Sequence, residues 1–231
     1  MKEGTLSLYS LLLQHFFSLK NIQVYQKGSL LFQEGDFVNN IYILLDGKMS
    51  VGRIHENGKE FIMKILTQED LILEYQIFKR APKYYHFAKA ITDCELLVID
   101  RAEFEDCALR DKALLASLTS YLSTGYLKAN IKCQDLIMNG KKGGLYSILI
   151  RLCHSFGKRT CDGILIDFPL THQELANLTY GTREVIQRLM KDLRDDGIIS
   201  TSSQKIIVKD LSFLKRAVDC QSCPIEVCGL N

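Results

Sequence analysis

The chain has 231 residues, 47% of them hydrophobic and 24% charged, with a net charge of +2, which suits a globular protein with one large core or two ordinary ones. No run of about 18 apolar residues occurs, so no membrane span is expected, and the opening MKEGTLSLYSLLLQHFF, with an acid beside its first lysine and no small-residue cleavage site, does not read as a secretory signal. Eight unevenly placed cysteines in a chain of this size point to cytoplasmic thiols, some serving a metal, rather than to a disulfide scaffold.

A short helix containing Leu11 to Phe17 opens the chain. From Ile22 to Ile99 short apolar strands are separated by turns at Gly28, Gly35, Gly47 and Gly58, and Asn57-Gly58 between alternating segments is a hairpin signal. The pattern predicts a small antiparallel roll or barrel, giving a first domain over residues 1–100. Asp100 to Met138 lacks proline and is rich in helix formers, which predicts one long helix as a second unit over 101–140. Along it Leu115, Leu118, Leu122, Gly125 and Ala129 recur in steps of three and four, the spacing of a two-helix seam; the stripe either packs on the roll or meets a second copy. The helix is expected to stop near Asn139-Gly140, with Lys141-Lys142-Gly143-Gly144 as a hinge, before an amphipathic helix on Leu145, Ile148, Leu149, Leu152 and Phe156 that ends at Gly157.

The best-specified stretch is Thr171 to Ile199. Thr171 with Glu174 forms a capping box, Leu175 and Leu178 give a first helix its buried face, Gly181 sits in the turn, and Val185, Ile186, Leu189, Met190 and Leu193 recur at helical spacing up to Asp196-Gly197. Thr182, Arg183, Glu184, Gln187 and Arg188 are left at the start of the second helix, the part that enters the major groove in a helix-turn-helix. Arg can bond guanine through both fork nitrogens and Glu can accept from cytosine. A helical hairpin with a solvated polar face is the plainer reading, but Ile198-Ile199, a polar turn at 200–204 and Lys205 to Lys209 make a hairpin of the kind that forms a wing. Charge agrees: residues 1–138 hold 16 Lys and Arg against 17 Asp and Glu, whereas residues 139–219 hold 13 against 9, an excess of the sign that phosphate contact requires. Residues 141–215 thus read as a winged helix-turn-helix for double-stranded DNA, and the fold class is α+β.

The tail, residues 216–231, carries Cys220, Cys223 and Cys228 as C-x2-C-x4-C. Thiolates so spaced can converge on zinc or on an iron–sulfur cluster, or can be plain tail thiols or a disulfide. Five scattered histidines and the lack of a phosphate loop, nucleophile elbow or metalloprotease helix suggest no enzyme.

The run GSLLFQEGDFVNNIYILLDGKMSVGRIHENGKEFIMKIL resembles the β-roll of cyclic-nucleotide-binding domains. With the winged helix behind it, roughly residues 20 to 215 resemble the Crp/Fnr family of bacterial transcription regulators. Nucleotide-binding members grip the cyclic phosphate with a cassette like Phe-Gly-Glu-Leu and a later Arg-Ser or Arg-Thr pair; here stand Ile72-Leu73-Glu74-Tyr75 and Tyr84-Tyr85. Only Glu74 matches, so no cyclic nucleotide is expected. The resemblance makes the long helix a dimerisation helix, which would set two reading helices about one DNA turn, ~34 Å, apart on an inverted repeat. Thr182-Arg183-Glu184-x-x-x-Arg188 is similar to the catabolite activator branch, implying a TGTGA-like site with Arg183 and Arg188 on guanines and Glu184 on a cytosine. Thr171 and Thr182 join this DNA-facing set, Thr179 replaces a glutamate that the enteric Fnr uses, and a phosphate contact by Lys205 would affect all sequences alike.

Many Fnr proteins carry cluster cysteines near the N-terminus, but this chain has none before Cys94. It resembles instead the Bacillus-type Fnr branch, whose [4Fe-4S] cysteines follow the DNA domain and match Cys220, Cys223 and Cys228. In that branch the fourth ligand is an aspartate near the end of the dimer helix, which corresponds to Asp135; Cys133, Cys153, His154 and Cys161 are competitors. The resemblance implies a homodimeric, oxygen-responsive regulator that works with RNA polymerase and activates genes of anaerobic respiration and fermentation. Two alternatives stand beside it: the same DNA module with structural zinc or another effector, and a small iron–sulfur redox protein.

Overall fold

The computed structural model describes residues 7–56, 58, 60–202, 205–220, 223–224 and 227–230, and forms two compact units that part between Ser123 and Thr124. The first begins with α1 (Leu8–Phe16), whose N-cap Ser7 accepts from Ser10 N, and a 3-10 turn at Leu19–Asn21. The strands β1 (Ile22–Tyr25), β2 (Leu30–Phe32), β3 (Asn40–Asp46), β4 (Met49–Ile54), β5 (Glu60–Leu66), β6 (Leu71–Ile72), β7 (Phe87–Ala90) and β8 (Cys94–Asp100) follow. They make two antiparallel four-stranded sheets, β1-β8-β3-β6 and β2-β7-β4-β5, as the alternation of apolar runs and turns predicts. Ile41 and Ile43 from β3, Met49 and Val51 from β4, and Leu96, Leu97 and Ile99 from β8 meet in one core. The hairpin expected at Asn57-Gly58 joins β4 to β5, with Gly58 N donating to His55 O; Asn57 lies outside the described residues. Strands β6 and β7 escape the pattern, being two residues long and rich in small residues respectively.

The long helix differs from its expected form near its start and just beyond its end. It is divided at Asp111, giving α2 (Arg101–Arg110) and α3 (Lys112–Phe156). Asp111 takes an extended backbone, its Oδ1 accepts from Ala113 N at 2.8 Å and Leu114 N at 3.2 Å, and its Oδ2 meets His15 Nε2 at 2.8 Å. An aspartate that caps the following turn starts a new helix, and periodicity alone does not register it. The expected stop near Asn139-Gly140 is present: Gly140, at φ 58° and ψ −161°, a conformation nearly restricted to glycine, breaks the helical path, so α3 is two helical stretches that meet at a kink there. Residues 141–144 are helical rather than a hinge. Gly143 and Gly144 have another reason to be small: a Cβ on either would run into the side chain of Asn139 or Leu136. The expected seam also divides. Leu118 is buried with Leu114 in the core of the roll, where Tyr121 Oη donates to Leu71 O at 2.9 Å, so Leu118 does not belong to an open stripe. Leu115, Leu122, Gly125 and Ala129 are exposed.

In the second unit the last part of α3 buries every residue from Leu145 to Cys153. It leads into β9 (Gly157–Thr160) and β10 (Gly163–Ile166), then α4 (His172–Leu178), α5 (Arg183–Asp195), β11 (Ile199–Ser202), β12 (Lys205–Val208) and α6 (Leu211–Ala217). The expected wing hairpin is β11–β12; the end of its turn, Ser203 and Gln204, lies outside the described residues. Its sheet, β11-β12-β10-β9, gains a second hairpin. Strand β9 is exposed throughout and so carries no hydrophobic signal.

Candidate nucleic-acid interface and candidate metal centre

The reading unit is built as its sequence requires. Thr171 Oγ1 accepts from Glu174 N at 3.2 Å while Glu174 Oε2 accepts from Thr171 N at 2.7 Å, so the capping box is closed and fixes the start of α4. In the turn the left-handed residue is Tyr180 (φ 54°), not Gly181. Thr182 caps α5 by accepting from Val185 N at 3.4 Å. Ile186, Leu189, Met190 and Leu193 are buried, which leaves Arg183, Glu184, Gln187 and Arg188 exposed together on the opposite side. Helix α5 ends with Gly197 N bonding Arg194 O and Ile198 N bonding Leu193 O, the paired bonds of a glycine-terminated helix. Thr179 is buried and donates to Leu175 O at 2.8 Å, so its position is structural.

Cationic side chains stand beside this face. His172, at the start of α4, has its pKa lowered by burial and then by the charges of Arg194 and Arg183. His172 and Arg194 line a cleft of about 330 Å³ together with Thr171, Thr201, Ser202 and Lys205. Hydroxyls and cations around an open cleft suit a phosphate backbone. Lys205 is not idle: its Nζ bonds Asp167 Oδ1 at 2.7 Å, and Lys158 Nζ bonds Oδ2 at 2.5 Å. The two lysines hold the Asp167 carboxyl at about 2.

In the β-roll, Glu74 of the cassette is already engaged. It is buried, with Lys64 Nζ at 2.7 Å and His86 Nδ1 at 2.9 Å. Burial alone would raise its pKa, but the His86 hydrogen bond and the Lys64 charge outweigh it and hold the carboxyl below its ordinary value. Tyr84, where the resemblance would place an arginine, is folded into the core and stacks on Phe32 at 3.6 Å between ring centroids.

The tail packs on the last turns of α3. His154 Nδ1 lies 3.1 Å from Cys228 O, and Leu230 N donates to Ser155 Oγ at 3.1 Å. All eight cysteines are free. Burial raises the Cys228 thiol; Arg151 opposes this, while Cys220, Cys223 and Asp135 add to it. Asp135 Oδ2 accepts from Arg151 Nη2 at 2.8 Å, and Arg151 is buried. Of the competing ligands, Cys153 is pushed up to about 12 by burial, which keeps it a thiol, and Cys133 and Cys161 are exposed. Among the described residues no three His, Cys, Asp or Glu side chains stand ready to hold a metal ion, so the tail thiols would have to close on a shared centre. Arg151 escaped the sequence reading. Its signal was there: one arginine inside the apolar run Leu145 to Cys153.

Comparison with known proteins decides the family. Residues 22–111 match the cyclic nucleotide-binding domain and residues 145–217 the Crp-like helix-turn-helix domain. An anaerobic regulatory protein of Bacillus subtilis is 36% identical over 207 residues, 89% of this chain and 87% of that protein. This chain belongs to the Crp/Fnr family. It is a DNA-binding transcription regulator of the Crp/Fnr type, and the family is one of regulators, not enzymes. A global nitrogen regulator of Synechococcus elongatus is 30% identical over 190 residues, covering 81% of this chain and 85% of its own. A CooA mutant of Carboxydothermus hydrogenoformans shares the Crp/Fnr fold, with a TM-score of 0.76 at 23% identity over 92% of this chain and 96% of its own. Among the described residues no helix is long and apolar enough to cross a membrane.

Proposed function

We propose that this Crp/Fnr protein is an oxygen-responsive regulator whose C-terminal thiols hold a [4Fe-4S] cluster that governs binding of a cytoplasmic homodimer to an inverted TGTGA-like repeat. The observation that carries the reading is the attachment of the cysteine tail to the last turns of α3, where His154 Nδ1 meets Cys228 O and Leu230 N bonds Ser155 Oγ, on the helix whose Asp135 pairs with the buried Arg151. Three soft thiolates and one harder carboxylate suit an iron–sulfur centre in donor type, with Cys220, Cys223, Cys228 and Asp135 as ligands. When bound, such a group supplies an inorganic centre that oxygen destroys. The chain's part is to hold Cys228 against α3 through His154 and Ser155 and to keep Asp135 beside the tail. The relative named an anaerobic regulatory protein supports activation of genes for anaerobic respiration and fermentation, with RNA polymerase as partner.

Thr171, Thr182, Arg183, Glu184 and Arg188 meet the DNA, and the exposed Leu115, Leu122, Gly125 and Ala129 of α3 meet a second copy. Cyclic nucleotide is not the effector: Leu73 obstructs the approach that glycine would give, and Glu74 is committed to Lys64 and His86. The test is iron and sulfide analysis of protein purified under nitrogen. A brown product with iron and sulfide in equal amounts, bleached by air, supports the reading. A colourless product holding zinc would replace it.

A further inference from the structure

The side chain of Arg151 is 3% exposed, yet only Nη2 has a partner; Nε and Nη1 have none among the described residues. A guanidinium cannot shed its charge, and buried donors left unpaired are strongly unfavourable and rare. Asp135 answers part of the charge with one oxygen, Oδ2. The two unpaired donors still call for acceptors. A void lined by Lys132, Asp135, Ser147 and Arg151 measures about 10 Å³, room for one water at most, so a small free anion does not fit there. The tail that carries the thiols covers the same helix face: His154 and Ser155, three and four residues after Arg151, meet Cys228 O and Leu230 N at 3.1 Å each.

We propose that Arg151 is the buried counter-charge of the tail centre, a positioning residue that orients Asp135 through Oδ2 and donates its two remaining nitrogens to the thiolate-bound group. This rests on the iron–sulfur reading above. Partners of this kind orient metal ligands and tune the metal, and hydrogen bonds to cluster sulfurs help set reduction potentials. The pair also spans the interruption at Gly140, because Asp135 precedes it and Arg151 follows it in α3. The occupancy of the centre and the local geometry of the kink are therefore tied through one guanidinium.

The experiment uses the full chain, reconstituted under nitrogen with ferrous iron and sulfide, as wild type, Arg151→Gln and Arg151→Lys. Iron and sulfide content, midpoint potential by optical titration, and iron release to a chelator are measured. In Arg151→Gln the centre assembles, but the reduced-to-oxidised ratio at a fixed potential falls at least tenfold, a downward shift of 59 mV for one electron. Arg151→Lys keeps the charge without the fork, so its potential returns toward wild type while iron release is at least threefold faster. A glutamine variant with wild-type potential overturns the proposal. Should that variant not fold, wild-type iron release from the lysine variant overturns it alone. Wild type that takes up no iron refutes the cluster reading itself, a separate outcome.

Discussion

Arg183 and Arg188 stand exposed on α5, whose other side is anchored by four buried side chains, so their placement depends on packing rather than on their own contacts. Arg183→Ala is expected to lose about 1–3 kcal/mol on a cognate half-site and to relax preference at one base pair. Competition binding with matched and mismatched half-sites checks this, and an unchanged matched-to-mismatched ratio would contradict it. Asp167 makes a different expectation. Its folded carboxyl, at about 2, lies below the ordinary value of 3.8 because Lys158 and Lys205 bond it. A depressed carboxyl contributes stability that is present above its unfolded pKa and is lost as pH falls through the folded one. The melting temperature of Asp167→Asn should thus lie below wild type at pH 7, and the two should converge between pH 4 and pH 2. Such partnerships were not legible in advance. Asp167 is nine and 38 residues from its lysines, and Arg151 is 16 from Asp135, separations that no local pattern encodes.

At the scale of elements, what could be read from the chain follows signal strength. Helix α5 was legible nearly to the residue because cap, apolar period and terminating glycine agree. The strands β3, β4, β5 and β8 were legible because their apolar runs lie between turn residues. The wing's neighbour β9 was not, being held by hydrogen bonds to β10 rather than by burial. In α3 the period of the apolar residues was correct, but it could not say which of them the roll would claim. Leu114 and Leu118 went to the roll, and Leu115 and Leu122 remained outside. Leu122 is 44% exposed, so Leu122→Glu should leave the fold intact while placing like charges across a dimer seam. Sedimentation should show a monomer, and far-UV circular dichroism an unchanged helix content. A variant that stays dimeric at micromolar concentration would exclude this face of α3 from the contact.

For the whole molecule, two units have distinct tasks. The first is an antiparallel roll whose cassette is filled by its own side chains: Glu74 by Lys64 and His86, and the core by Tyr84 against Phe32. The second carries both the reading face and the tail thiols, so the proposed sensor and the reader share one sheet-and-helix body. In the proposed account the last turns of α3, which carry Arg151, His154 and Ser155, link that centre to DNA binding. The most direct test is the affinity of one preparation, reconstituted under nitrogen, for one inverted TGTGA-like duplex at fixed salt, measured before and after measured exposure to air. The account expects the affinity to fall at least tenfold, about 1.4 kcal/mol, together with the loss of iron. Equal affinity of the iron-loaded and iron-free protein would contradict it.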